Sequence, residues 1–348
     1  MKFQKRRPAA LAALLLTASF AFTACGGDDG GDGGSAGGSG GGGDLSITML
    51  PKNLGNAYFD TSTDGAEKAA DEIGADFEEV GPDTASPDAQ VSYINTVAQQ
   101  GKDALILSAN DPDALCDAID EARSADVKVV TFDADTNPDC RDLFINQATA
   151  EGIASKQLEL IADQIGGKGE IAILSASANA TNQNAWIDMM EKELADNPDY
   201  SGIELVDTVY GDDEDQKSFD QTEALLQNHP DLKGIISPTT VGIAAAARYL
   251  SDSQYKGKVA LTGLGTPNQM REYVEDGTVT SFALWNPGDL GYLATFAAAA
   301  LVDGDITGEE GDSFEAGDLG TFEVGADGTV LLGEPFTFDK SNIDDFDF

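Results

Sequence analysis

The stretch 129–147 constrains this chain more than any other. Val129-Val130-Thr131-Phe132 is a short apolar run that ends at the carboxylates of Asp133 and Asp135. Runs of this kind are buried strands of parallel sheets, and open α/β sheets hold ligands off the carboxyl ends of their strands. Asn137-Pro138-Asp139 then makes a turn. Leu143-Phe144-Ile145-Asn146-Gln147 follows as a second strand. A parallel neighbour needs a crossover of about a dozen residues or more, usually a helix. The gap is too short for that helix, so the second strand either pairs antiparallel or leaves the first sheet, and it is expected to leave because a fresh run of strand–helix units begins after it. The stretch then serves as the floor of a ligand site and as a hinge between two lobes.

The flanking sequence alternates between two periods. Before the stretch, 45–50, 76–80, 104–109 and 127–133 read as strands, with helical spacing at 58–73, 88–99 and 113–123. After it, strands are expected at 170–175, 204–210, 234–237, 259–263 and 280–285. Helices are expected at 150–165, 182–195, 214–227, 241–250, 267–274 and 290–301. Alternation of this kind predicts parallel sheets covered by helices on both faces. Two such runs predict an α/β protein of two doubly wound lobes with a cleft between them. Short β-type stretches at 322–324 and 330–332 are expected as edge strands or a hairpin, and the acidic tail 339–348 as loosely packed.

The 348 residues carry 62 acids against 20 bases, a formal net charge of −42. Such a polyanion does not hold nucleic acid by neutralising phosphates, and anionic lipid repels it. The N-terminus reads as an export signal over 1–24: Lys2, Lys5, Arg6 and Arg7 precede an apolar Ala/Leu-rich stretch. That stretch is shorter than the roughly 20 residues a membrane span needs. Phe22-Thr23-Ala24-Cys25 resembles the lipobox of bacterial lipoproteins, which implies acylation of Cys25. Residues 25–44, nearly all Gly, Asp and Ser, read as a flexible tether. Export makes a Cys116–Cys140 disulfide the favoured reading over two free buried thiols.

Little in the chain suggests catalysis. No Gly-rich dinucleotide or Walker loop follows a strand, and no cofactor or metal set is expected. The single histidine, His229, sits beside a turn and reads as a surface residue. No Ser/His/Asp or Cys/His constellation can be assembled around it. A carboxylate pair such as Asp133 and Asp135 leaves a glycosidase open. A hydroxyl-rich ligand wants the same groups as acceptors, with no catalytic geometry. The loops past the strand ends run through 51–59, 108–111, Asp133, 180–186, 237–240, 263–268 and Trp285-Asn286. They bring amides, carboxylates, one lysine and aromatic rings, a surface suited to a sugar's hydroxyls and C–H faces.

Five segments carry a resemblance: 51–56 (PKNLGN), 176–186 (ASANATNQNAW), 234–247 (GIISPTTVGIAAAA), 262–270 (TGLGTPNQM) and 284–293 (LWNPGDLGYL). They resemble the rhamnose-binding receptors of bacterial ABC importers, within the type I periplasmic sugar-binding proteins. The resemblance runs from about Leu45 to the C-terminus. It implies two Rossmann-like lobes, a three-stranded hinge and a 6-deoxyhexose clamped between them. The first lobe would comprise 45–147 plus about 287–318, and the second 148–286 plus about 319–338. The hinge would include Asn146-Gln147, Asn286-Pro287 and a crossing near Leu319.

The related autoinducer-2 receptors place a lysine, an aspartate and a glutamine on Lys52, Asp133 and Gln183. Their Pro-x-Ala pattern falls on Pro238 and Thr240, and the Asp of their Asp-Gln pair on Asn182. Those departures favour a sugar over autoinducer-2. The implied ligand set is Lys52, Asn53, Phe59, Asp111, Asp133, Asn182, Gln183, Trp186, Pro238, Thr240 and Asn286. The implied protein is a monomeric, lipid-anchored, extracytoplasmic receptor that delivers its sugar to a permease and ATPase subunits. A sugar-responsive repressor would need a basic head before Leu45, where the chain has a signal and a leash. Docking of the loaded form on a chemoreceptor remains open.

Overall fold

Short runs of Ile, Val, Leu and Met, separated by helices of which several end on left-handed glycines such as Gly74, Gly101 and Gly166, set the frame of the fold. The computed structural model describes residues 45–348; the export signal, Cys25 and the tether lie outside the described residues. The first half runs β1 (Ser46–Leu50), α1 (Ala57–Ile73), β2 (Asp76–Glu79), α2 (Pro87–Gln100), β3 (Ala104–Leu107), α3 (Cys116–Ser124), β4 (Lys128–Phe132) and β5 (Leu143–Asn146). The second continues with α4 (Ala150–Ile165), β6 (Gly169–Ser175), α5 (Thr181–Asp196), β7 (Ile203–Tyr210), α6 (Asp215–Asn228), β8 (Leu232–Ser237), α7 (Thr240–Ser251), β9 (Ala260–Gly263), α8 (Pro267–Glu275) and β10 (Ser281–Leu284). The chain ends with α9 (Pro287–Asp303), β11 (Ser313–Glu315), β12 (Thr321–Glu323), β13 (Thr329–Leu331) and β14 (Phe336–Asp339).

Two parallel sheets result, the α/β class read from the alternation. The first has the order β13-β5-β4-β3-β1-β2, and the second β7-β6-β8-β9. A parallel bridge, Leu264↔Ala283, attaches β10 to the second sheet, and β14 pairs antiparallel with β10. Ile47, Ile106, Val130 and Ile145 fill the first lobe, and Ile171, Ile173, Ile235 and Leu261 the second; none of these is exposed. No helix among the described residues is long and apolar enough to cross a membrane.

The strand Leu143–Asn146 corrects the opening expectation. It does not leave the first sheet but lies parallel to β4, with Val130 beside Leu143 and Phe132 beside Ile145. An extended link of about ten residues reaches roughly 30 Å, well beyond the length of a five-residue strand, so no helix is required. The link turns back at once, because Asp133 takes φ 60° and Pro138–Cys140 forms a single tight turn. Its far end is tied down: Asp142 N donates to Val129 O at 2.9 Å, and Val129 N to the Asp142 carboxylate at 2.7 Å. The chain passes to the second sheet only after β5.

Two further passages connect the lobes. Trp285-Asn286 leads from β10 into α9, which packs on α1, β3 and β4. The other lies between β13 and β14, not near Leu319: β13 adds to the open edge of β5, so residues through Leu331 stay with the first sheet. Leu332 N donates to Asn146 O at 2.8 Å and Gly333 N to Gln147 O at 3.1 Å, so this passage runs beside the first. Residues Thr321–Glu323 form a hairpin with Ser313–Glu315. The acidic tail is not loose. Ile343 is 1% exposed, the rings of Phe346 and Phe348 lie 4.9 and 6.1 Å from that of Phe338, and Arg271 donates to the carbonyls of Ile343 and Phe346 at 2.8 and 2.7 Å.

Candidate functional site

Between the strand carboxyl ends lies a narrow cavity of about 40 Å³ lined from both lobes. From the first lobe come Lys52 past β1, Asn56, Tyr58 and Phe59 at the start of α1, and Asp133 past β4. From the second come Asn182, Gln183 and Trp186 on α5, Asp213 past β7, Pro238, Thr239 and Thr240 past β8, and Leu264, Leu284 and Trp285.

Local chemistry explains why these side chains stop here. Asn56 caps α1 by accepting from Tyr58 N at 3.1 Å, which sets the first helical turn and its two rings at the cavity edge. Gln183 accepts from Ser175 Oγ at 3.0 Å and Ala176 N at 2.9 Å, which fixes its amide against the end of β6. Asp133 is 5% exposed and accepts from Ser108 Oγ at 2.8 Å. Lys52 Nζ lies 3.6 Å from Asp133 Oδ2 and donates to Asn182 Oδ1 at 3.3 Å. Asn182 Nδ2 in turn donates to Asp133 Oδ1 at 3.4 Å. One lysine, one carboxylate and one amide thus join the lobes.

An aromatic wall completes the cavity. Trp285 Nε1 donates to the Tyr58 hydroxyl at 2.8 Å, and Trp186 meets Trp285 edge to face with centroids 6.2 Å apart. Phe59 sits edge-on to Phe132 at 6.1 Å. Burial, and then the charge of Asp133, push the Tyr58 hydroxyl well above its usual pKa, so it stays protonated. Burial also raises the Asp213 carboxyl, against the opposing pull of the Thr239 hydroxyl and Lys52.

Of the residues expected from the sequence, Lys52, Phe59, Asp133, Asn182, Gln183, Trp186, Pro238 and Thr240 line the cavity together. Asn53, Asp111 and Asn286 do not. Asn53 turns its amide to Leu54 O at 3.3 Å, Asp111 caps the next turn through Asp113 N and Ala114 N at 3.0 and 2.9 Å, and Asn286 caps α9 through Gly288 N at 2.9 Å. The Asn53 amide nitrogen and the Asp111 and Asn286 oxygens thus serve the backbone, the other use of Asn and Asp at strand ends, while Asn53 Oδ1 is buried without a partner. Asp135 also lies outside the lining, gripped by Arg141 at 2.8 and 2.9 Å. Asp213 was missed, although Tyr210-Gly211-Asp212-Asp213 follows a strand's carboxyl end as the other site loops do. Cys116 and Cys140 are joined as a disulfide, their Cα atoms 5.3 Å apart, tying the start of α3 to the β4–β5 link. No cluster of three or more potential metal ligands occurs among the described residues.

Solved structures resemble this chain over most of its length. A sugar ABC transporter structure from Actinomyces odontolyticus is 56% identical, with a TM-score of 0.73 over 87% of this chain and 98% of the other. An ABC transporter solute-binding protein from Clostridium phytofermentas, solved with L-rhamnose bound, is 40% identical, with a TM-score of 0.84 over 87% and 98%. LsrB from Clostridium saccharobutylicum, solved with AI-2, is 28% identical, with a TM-score of 0.83 over 87% and 100%. Residues 47–306 match the periplasmic binding protein domain, and the chain belongs to that family.

Proposed function

We propose that this chain is the sugar receptor of an ABC importer, capturing L-rhamnose or a closely similar monosaccharide between its lobes and performing no chemistry. The carrying observation is the Lys52–Asn182–Asp133 chain of contacts, which joins the lobes at the wall of the cavity between them. A ligand touching both lobes stabilises their closed arrangement over the open one, and the three interlobe passages are where the backbone would flex. Asp133 would accept hydroxyls, Lys52 and Gln183 would serve polar edges, and Phe59 and Trp186 would cover the apolar face with its methyl. The rhamnose-bound relative at 40% identity supports this ligand above AI-2, whose bound relative is 28% identical. Asn182 and Thr240, which depart from the autoinducer-2 pattern, favour the same choice. Acylated Cys25 would hold the receptor at the outer face of the membrane on its tether, within reach of the permease.

Calorimetric titration with L-rhamnose, D-ribose and AI-2 tests the reading. Micromolar or tighter binding of L-rhamnose, with weaker binding of the others, is expected. Preference for AI-2 would favour the signal-receptor alternative, and turnover of a chromogenic rhamnoside would overturn the non-enzymatic assignment.

A further inference from the structure

The cavity holds a second carboxylate that the contacts between the lobes do not use. Asp213 enters from the turn after β7, where Asp212 and Asp213 take φ 54° and 53°. Asp133 has φ 60°, so both cavity carboxylates stand on left-handed backbone just past a strand. Non-glycine residues adopt that conformation uncommonly, Asp and Asn more often than most, and it recurs where side chains are aimed at ligands. Thr239 Oγ1 donates to Asp213 Oδ1, although Thr239 is the N-cap of α7 and makes no side-chain cap there. Its hydroxyl orients the carboxylate instead. The turn itself is held by Asp212 N donating to Ala176 O at 2.8 Å and Gly211 N to Ser175 O at 2.9 Å.

We infer that Asp213 is the second lobe's hydroxyl acceptor, so that a bound sugar is clamped by donating one hydroxyl to Asp133 and another to Asp213. This rests on the sugar-receptor reading above and adds a specificity element to it. Lys52 is the cation that compensates both carboxylates. The clamp selects neutral sugars with two donor hydroxyls, because a uronate or a sugar phosphate would bring a third negative charge beside these two. It also makes capture sensitive to acid. The charged or titratable groups around Asp213 are Lys52 from the β1–α1 loop, Asp133 past β4 and Asp212 on its own turn; α5 and α7 present the neutral Asn182 and Thr239. Burial raises the Asp213 carboxyl above its ordinary value. Its protonation on acidification removes an acceptor before exposed carboxylates titrate.

L-rhamnose titrated by calorimetry against the full chain, from about pH 7.5 to about pH 4.5, tests this. Wild type is expected to lose affinity several-fold on acidification. Asp213→Asn is expected to bind about 30-fold more weakly at neutral pH, with a flatter pH profile, as loss of a charge-assisted bond implies. Asp212→Asn, whose carboxylate pairs with Lys217 at the surface, should keep near wild-type affinity at neutral pH, with its loss of affinity moved to lower pH because one charge raising the Asp213 carboxyl is gone. Thr239→Val should weaken binding about threefold while retaining the pH dependence. Wild-type affinity and pH profile in a cooperatively folded Asp213→Asn would overturn the inference and leave the receptor reading standing. Failure of wild type to bind L-rhamnose would overturn both. If Asp213→Asn does not fold, an unchanged affinity in Thr239→Val counts against the inference.

Discussion

Lys52 Nζ stands 3.6 Å from Asp133 Oδ2, and each side chain is only 7% exposed. Removing one partner of a buried pair leaves an uncompensated charge, a loss of about 3–5 kcal/mol. Here Lys52 compensates Asp213 as well. Lys52→Met is therefore expected to destabilise the protein by about 3 kcal/mol and to lower L-rhamnose affinity more than tenfold. Denaturant unfolding and calorimetry measure the two effects; unchanged affinity would take the lysine out of the site.

Both of the chain's tryptophans, Trp186 and Trp285, line the cavity. Tryptophan fluorescence, excited selectively over the tyrosines, is thus a report from the site. Its intensity or maximum should change saturably with L-rhamnose, with a midpoint matching the calorimetric one. Trp285→Phe, which also removes the donor to Tyr58, should bind more weakly than Trp186→Phe if the interlobe bond aids closure.

Asp213 has a consequence for stability as well as binding. Burial raises its folded-state pKa above the unfolded value, so the fold prefers the neutral carboxyl. Such a group contributes stability that is fully present below the unfolded pKa and is lost as pH rises through the folded pKa. At neutral pH the ionised form is a net cost that an amide avoids. Asp213→Asn should raise the melting temperature of the ligand-free protein by about 1–3 °C near pH 7. The difference should vanish in acid, below the unfolded pKa. A lower melting temperature at neutral pH would contradict this.

Helices α1 and α9 approach closely at their glycines. A Cβ on Gly291 would collide with the carbonyl oxygen of Ser62, and one on Gly65 with that of Gly288. Gly291→Ala should destabilise by about 2–3 kcal/mol, since backbone must move to admit the methyl. Tyr58 and Phe59 start α1 at the cavity, so weaker ligand binding should accompany the loss. Chemical denaturation of both proteins checks it.

The Cys116–Cys140 bond closes a loop of 24 residues in sequence separation. Replacing both cysteines with serine should cost about 3 kcal/mol by releasing the unfolded chain. The bond lies next to Arg141, which holds Asp135 and donates to Asp327 O at 2.6 Å. Those contacts remain in the variant, so sugar affinity should fall less than stability does. Unfolding with and without reductant separates the two.

The elements and the class of fold are legible in the order of the residues. Apolar runs such as Leu105-Ile106-Leu107 and Val129-Val130 mark strands buried on both faces, and helical spacing between them marks the cover. The residue order also marked most of the loops that reach the cavity, because polar residues past a strand's carboxyl end must lie along one sheet edge, although the turn after β7 that carries Asp213 was not among them. Only the tertiary structure decided that Leu143–Asn146 stays in the first sheet, since the reach of an unstructured link exceeds the length of a strand whatever its composition. The third passage followed from which sheet edge was open to β13, a non-local fact. The tertiary structure also separated Asn182, which joins the lobes, from Asn286, which caps a helix. An amide or a carboxylate satisfies a backbone N–H or faces a cavity equally well by type, and the choice rests on where its neighbours' donors point.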